Sequence, residues 1–110
     1  MKMYSLFFSL LFVMTFTAFP AAAREPHWTA VPLTAPGIDV NAALSINSRG
    51  QIAADGINAN GEFHAFLWQN GAARDLGTSG HQSQAFDIND RGEIVGQILP
   101  QGAVLWTTGR

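Results

Sequence analysis

The 110-residue sequence predicts an all-β protein made of an antiparallel repeat. Two observations carry this. The run Ile46-Asn47-Ser48-Arg49-Gly50-Gln51-Ile52 returns 42 residues later as Ile88-Asn89-Asp90-Arg91-Gly92-Glu93-Ile94, with five of seven positions identical. A period near forty residues marks an array of supersecondary units, each too small to bury its own apolar face. Between the copies and within them, turn signals built on glycine come about every ten residues, and short apolar runs fill the gaps. That spacing is the pattern of short antiparallel strands.

The turns explain the repeat. Asn47 suits the first position of a type I turn, where its side chain caps the main chain two residues on, and Gly50 supplies the left-handed residue that closes a bulged hairpin. The same Ile-Asn-x-x-Gly spacing stands at Ile57 to Gly61 and at Ile88 to Gly92. Asn70-Gly71 is a two-residue hairpin signal, and Leu99-Pro100-Gln101-Gly102 places proline second and glycine fourth in a further turn.

Eight strands follow, at about 28–33, 42–46, 51–55, 62–68, 72–76, 84–88, 93–98 and 103–107, with a loop over 33–41. The run Phe63 to Trp68 is apolar on both faces, with Phe63, Ala65 and Leu67 on one and His64, Phe66 and Trp68 on the other. A strand of that kind is covered on both sides, as in a sheet stacked between others. Leu67-Trp68 returns as Leu105-Trp106 at a spacing of 38, so the second copy has lost four residues between its glycine turn and its tryptophan. Four strands make a propeller blade, so eight make two, whereas a closed propeller has four to eight blades. Residues 28–33 occupy the place of a strand that would complete a preceding blade. The chain ends inside a repeat, just past the position matching Asn70-Gly71. The expectation is therefore two propeller-like blades of an incomplete propeller: a piece of a longer protein, or a unit whose copies assemble through open blade faces as a homo-oligomer.

Residues 1–23 read as a secretory signal peptide. Lys2 precedes an apolar run from Tyr4 to Phe19, and Ala21-Ala22-Ala23 is a small-residue cleavage site. The run is shorter than a spanning helix needs, so no stable membrane anchor is expected after cleavage. The sequence contains no cysteine, which excludes both disulfides and lipoprotein attachment. The remaining 24–110 form one repeat domain, with copies at about 43–77 and 85–110. Its five arginines against eight acids give a formal charge of −3 with no basic run, which argues against nucleic acid as partner.

Candidate chemistry is sparse. His64 is the sharpest single residue, as a ligand or general base, yet no second histidine or acid stands at a suitable spacing in the sequence, and the reading preferred is a half-buried structural histidine. His27 and His81 fall outside strand cores and are expected to be solvated, with no metal-ligand spacing among the three. Asp87 to Gly92 begins like a calcium loop, but Arg91 and Ile98 stand where oxygen ligands are required. Turn capping accounts for its asparagine, as it does for Asn58 and Asn60. Trp28, Trp68 and Trp106 suit either a sugar-stacking platform or packing between blades, and the equivalent positions of the last two favour packing. No catalytic, cofactor-binding or metal-ligating residue is assigned.

The chain resembles the HAF repeat family of bacterial extracellular proteins. The motifs that carry the resemblance are Ala43, Ile46-Asn47, Gly50, then His64-Ala65-Phe66-Leu67-Trp68, Asn70-Gly71 and Asp75-Leu76-Gly77, followed in the second copy by Ala85, Ile88-Asn89, Gly92, Ile94-Val95-Gly96 and Leu105-Trp106. The second copy departs from the pattern where Gly102-Ala103-Val104 replaces His-Ala-Phe. The resemblance covers about Trp28 to Gly109. It implies a secreted, propeller-like β-repeat protein and no known activity. The expected function is thus a secreted, non-catalytic module, extracellular or periplasmic, that binds a protein or polysaccharide. The alternatives are an envelope hydrolase or lyase with a site on blade loops, or a fragment of a longer repeat protein without activity of its own.

Overall fold

In the computed structural model, residues 25–108 are described; the signal peptide read at 1–23 lies outside them. Seven strands follow in order: β1 Asp39–Ile46, β2 Ile52–Ile57, β3 Phe63–Gln69, β4 Ala72–Asp75, β5 Ser83–Ile88, β6 Ile94–Ile98 and β7 Gly102–Trp106. They form two antiparallel meanders, a four-stranded sheet ordered β1-β2-β3-β4 and a three-stranded sheet ordered β5-β6-β7. The sequence repeat is therefore a structural one: β5, β6 and β7 answer to β1, β2 and β3. Neither sheet closes on itself.

Two expectations need correction. The strand read at 28–33 does not form. Pro32 has no N–H to give a ladder, and Trp28 and Val31 stand 93% and 72% exposed. The loop read over 33–41 ends earlier, because β1 begins at Asp39 and pairs from there with Ile57. Ahead of it, Ala35 and Ile38 form a small bridge around Gly37.

The turns are as the sequence chemistry requires. Asn47 Oδ1 accepts the N–H groups of Arg49 and Gln51, both at 3.0 Å. Asn58 Oδ1 accepts those of Asn60 and Glu62, and Asn89 Oδ1 those of Arg91 and Glu93. In each turn the asparagine N–H donates to the carbonyl four residues on, and the glycine N–H donates back to the asparagine carbonyl. Gly50, Gly61 and Gly92 all sit near φ +80°, where a side chain is strained. Asn70 and Gly71, both with positive φ, make the two-residue turn between β3 and β4. The four residues missing from the second copy are lost at a hairpin tip. The turn at 58–62 has no counterpart between β6 and β7, which are joined by Leu99-Pro100-Gln101 with a cis Leu99–Pro100 bond.

The sheets stack face to face, with β5 packed across β1, β2 and β3. Ala53 and Ala65 of the first sheet meet Ala85, Ile88 and Ile94 of the second, and Leu67, Leu76 and Trp106 pack around them. The alanines keep side chains short where the sheets approach. Within the second sheet Gly96 leaves no room for a side chain: a Cβ there would collide with the Gln84 carbonyl of β5 and the Trp106 ring of β7. Main-chain donors at the junction are met by side chains. Ala85 N–H donates to Asp55 Oδ1 at 2.8 Å, and Ala65 N–H to Ser83 Oγ at 2.9 Å. Burial pushes the Asp55 carboxyl up, against the opposing pull of the Ala85 N–H.

β3 is buried on both faces, as expected: Ala65, Phe66 and His64 are 0%, 0% and 2% exposed. Among the described residues, one of those faces meets the second sheet. On the other, the Trp68 indole N–H donates to the Thr34 carbonyl at 3.0 Å and ties the segment before β1 to that side.

Valine at Gly50 or Gly92 forces a β-branched residue to positive φ and should destabilise by more than ~1 kcal/mol. Gly50 isolates the backbone cost, since nothing lies within 4 Å of a Cβ there. Chemical denaturation of both variants tests the turns, and unchanged midpoints for both would contradict the geometry above.

Candidate functional site

Among the described residues, several ionisable groups converge at the end of the first sheet nearest the 58–62 turn. β3 carries His64 one residue inside its start. The Asn70-Gly71 turn then returns the chain so that Phe66 pairs with Asp75 and Trp68 with Ala73. Asp75 consequently lies diagonal to His64 on the same face, within reach of a long side chain. The asparagine of the turn before β3 and the glutamate that ends that turn complete the group.

The geometry is tight. His64 Nδ1 lies 2.8 and 3.0 Å from the two carboxylate oxygens of Asp75. An ionised carboxylate only accepts, so Nδ1 carries a proton and donates it. Asn58 Nδ2 donates to Asp75 Oδ2 at 3.1 Å and to Glu62 Oε1 at 3.3 Å, clamping both acids. Gly77 N–H donates to Asp75 Oδ1 at 2.8 Å. Gly77 is required for packing as well, since a Cβ there would overlap the imidazole ring. Glu62 Oε2 accepts the N–H of Gly80 and so fixes the 77–82 loop against the turn. His64 Nε2 is buried and has no hydrogen-bond partner among the described residues; Glu62 Oε1 stands 3.8 Å away.

These bonds set the charges. Partial burial raises the Asp75 carboxyl, but the hydrogen bonds from His64, Asn58 and Gly77 outweigh it and hold the group below its ordinary value. The Gly80 N–H, followed by the Asn58 amide, holds the Glu62 carboxyl low. Both acids are anions around a histidine at neutral pH.

Chemically, a histidine oriented by a carboxylate is half of a general-base arrangement. Here the ring is walled in. At 2% exposure, with the Gly77 main chain against it, Nε2 does not reach solvent. A 420 Å³ cleft lined by Glu62, Phe63, Gly80, His81 and Gln82 lies beside the cluster, and it is Glu62 that faces it. What the group does in this conformation is staple: it joins β3, β4, the 58–62 turn and the 77–82 loop.

The sequence reading that no acid stands at a suitable spacing from His64 is thereby corrected. Asp75 is eleven residues away, and only the hairpin register brings it back. The signal was available in Asn70-Gly71. A two-residue turn pairs Gln69 with Ala72, and counting back along the strands places residue 75 opposite residue 66 and diagonal to residue 64.

The other candidates separate. His81 is exposed and donates from Nδ1 to the Leu99 carbonyl at 3.1 Å, and His27 is exposed in the segment before β1. Among the described residues no group of three or more side chains able to hold a metal ion stands together. Asp87 and Asp90 are engaged between the sheets: Ser45 Oγ donates to Asp87 Oδ1 at 2.6 Å, and Ser48 N–H to Asp90 Oδ1 at 2.9 Å. Those bonds hold both carboxyls below their ordinary values. The tryptophans have different surroundings. Trp106 packs against the core and Trp68 bonds Thr34, while Trp28 stands in solvent.

Comparison of the chain with family models, with characterised proteins and with solved structures returned no match.

Because the folded Asp75 carboxyl is more acidic than the unfolded one, the folded state binds fewer protons through it. Its contribution to stability is complete above the unfolded value of 3.8 and is withdrawn as pH falls through the lower folded value. Asp75→Asn should therefore be less stable than the parent at neutral pH, by about 1–3 kcal/mol for weakening a charge-assisted bond at a buried ring, and should lose less as the solution is acidified. Unfolding midpoints taken from pH 7 downward check this. Parallel curves for parent and variant would contradict it.

Proposed function

We propose that this chain is an exported, non-catalytic β-repeat module of the HAF type, whose two sheets are propeller-like blades and which binds a protein or polysaccharide at a surface. The observation that carries the non-catalytic part is the burial of His64. The residue best oriented for base chemistry is closed off by its own hairpin and spends its Nδ1–H on holding that hairpin together. The blade reading draws support from the stacking. Residues 42 apart, equivalent in the two copies, bond to one another: Ser45 with Asp87, Asn47 with Asn89, and Ser48 with Asp90. Each unit is thus built to lie on the next in register, the relation expected of consecutive blades or solenoid turns. The motif order shared with HAF repeats supports the family and, with the apolar N-terminal run, export to the periplasm or medium.

One observation favours a second reading, in which the chain is a hydrolase or lyase. His64 has an unpartnered Nε2 beside an open cleft, and a local opening of the 77–82 loop would expose it. The two readings separate experimentally. The exported protein is assayed against panels of glycans and envelope proteins for binding, and against ester, glycoside and uronate substrates for turnover. The module reading predicts saturable binding that His64→Gln leaves unchanged in the folded protein, because the buried ring offers a surface ligand no contact. Turnover that His64→Gln abolishes without lowering the melting temperature would overturn it. N-terminal sequencing of the same material should begin at Arg24, and a retained Met1 would contradict export by a cleaved leader.

A further inference from the structure

The contact between the two sheets has two halves, and the molecule displays a second example of each half unused. On the second sheet, Ala85, Ile88 and Ile94 are buried, at 0%, 8% and 1% exposure, against the first. Their equivalents 42 residues earlier are Ala43, Ile46 and Ile52, the same three residue types in the same order. The register confirms the match: Ala43 pairs with Ala54 and Ile46 with Ile52, as Ala85 pairs with Gly96 and Ile88 with Ile94. Yet Ile46 is 64% exposed, and Ala43, Ile46 and Ile52 line an open groove with Leu44. The other half of the contact is Ala53, Ala65 and Leu67 of the first sheet. Its equivalents on the second sheet are Val95, Ala103 and Leu105, on the face turned away from the first. Val95 and Leu105 pair with each other and stand 46% and 56% exposed.

The polar contacts are duplicated as well. Asp55, which takes the Ala85 N–H, is answered by Gln97. The Gln97 Nε2 is held by Gln84 Oε1 at 2.7 Å, which leaves its Oε1 to accept the N–H of an Ala43. Asp87 accepts both Ser45 Oγ and the Ile88 N–H on Oδ1, so Oδ2 is available for a second Ser45 hydroxyl. Asn47 Nδ2 donates both to Gln51 within its own turn and to the Asn89 carbonyl across the junction. Asn89 Nδ2 donates to Glu93 within its turn and has a second hydrogen for the Asn47 carbonyl of another unit.

We propose that a second copy of this chain occupies these faces, head to tail: the Ala43–Ile46–Ile52 face of one copy lies on the Val95–Ala103–Leu105 face of the next. The occupant follows from the match itself. The triad, with Ile46 exposed, has the same residue types as one that this same chain already buries, and partners for three of the junction's polar contacts are present on the opposite face. The contact is heterologous, so it propagates until the rotation between units closes a ring or the array remains open. The inference shares with the blade reading only the stacking of the two sheets, and it is independent of any surface ligand.

The test uses two single-face variants at exposed positions, Ile46→Asp and Leu105→Asp, made in the full chain and purified as the cell processes it. The wild type should elute as a complex of several copies by light scattering at micromolar concentration. Each variant alone should fall to the mass of one copy while keeping the parent β-sheet circular dichroism. Mixed, the two should form a one-to-one complex and nothing larger, because only one intact pair of opposite faces remains. The two mutated faces carry like charge and cannot pair with each other. A monomeric wild type overturns the inference and leaves the surface-ligand reading standing. Assembly that survives either substitution, or a mixture that stays monomeric, overturns it too.

Discussion

The side-chain oxygens of Asn47, Asn58 and Asn89 each accept two main-chain N–H groups across a turn that ends in a left-handed glycine. This is a local interaction, complete within five residues, and the larger structure is placed by it. A bulged turn of fixed length leaves one register for the strands it joins, and a slip of one residue would carry every inward side chain to the opposite face. With Asn47 and Asn89 holding the first hairpins of the two sheets in the same geometry, residues 42 apart occupy equivalent sites. Only because they are equivalent can Ser45, Asn47 and Ser48 meet Asp87, Asn89 and Asp90 along the junction.

The same constraint accounts for the unusual core. Its centre is three alanines and two isoleucines. Small residues bring the sheets close enough for side-chain oxygens of one to serve main-chain donors of the other, as Asp55 does for Ala85 and Ser83 for Ala65. Such a junction is polar and directional as well as apolar, and so it specifies how one unit lies on another. It also costs something: Asp55 is held as a buried carboxyl, its proton affinity raised by desolvation, for the sake of one amide. A domain of this size buries a modest core, and Ile46 stands 64% exposed beside it.

Much of this could be read in the sequence because its determinants are local. The repeat, the positive-φ glycines and the strand runs from Ile52 to Trp106 depend on residues within one turn of each other. What could not be read depends on tertiary register. Residues 28–33 have the composition of a strand but find no ladder, and Pro32 cannot supply one. The β3 strand was legible as buried on both faces, while the nature of its second cover, a segment tied through Trp68 to Thr34, carried no pattern to find. At the candidate site His64 stood out, but Asp75, Asn58 and Gly77 each look like turn or strand-end residues in isolation. They become a cluster once the Asn70-Gly71 hairpin is folded and the strands are counted back from it.

The central claim is that two equivalent sheets stack in register through side-chain oxygens. Hydrogen exchange of individual amides reads this most directly, because the Ala65 and Ala85 N–H groups are bonded across the junction to Ser83 and Asp55. The account predicts that both exchange slowly and share one opening free energy with the β2–β3 ladder, as members of a single cooperative unit. Fast exchange of these two amides beside protected strand amides would mean that each sheet forms alone and the junction does not.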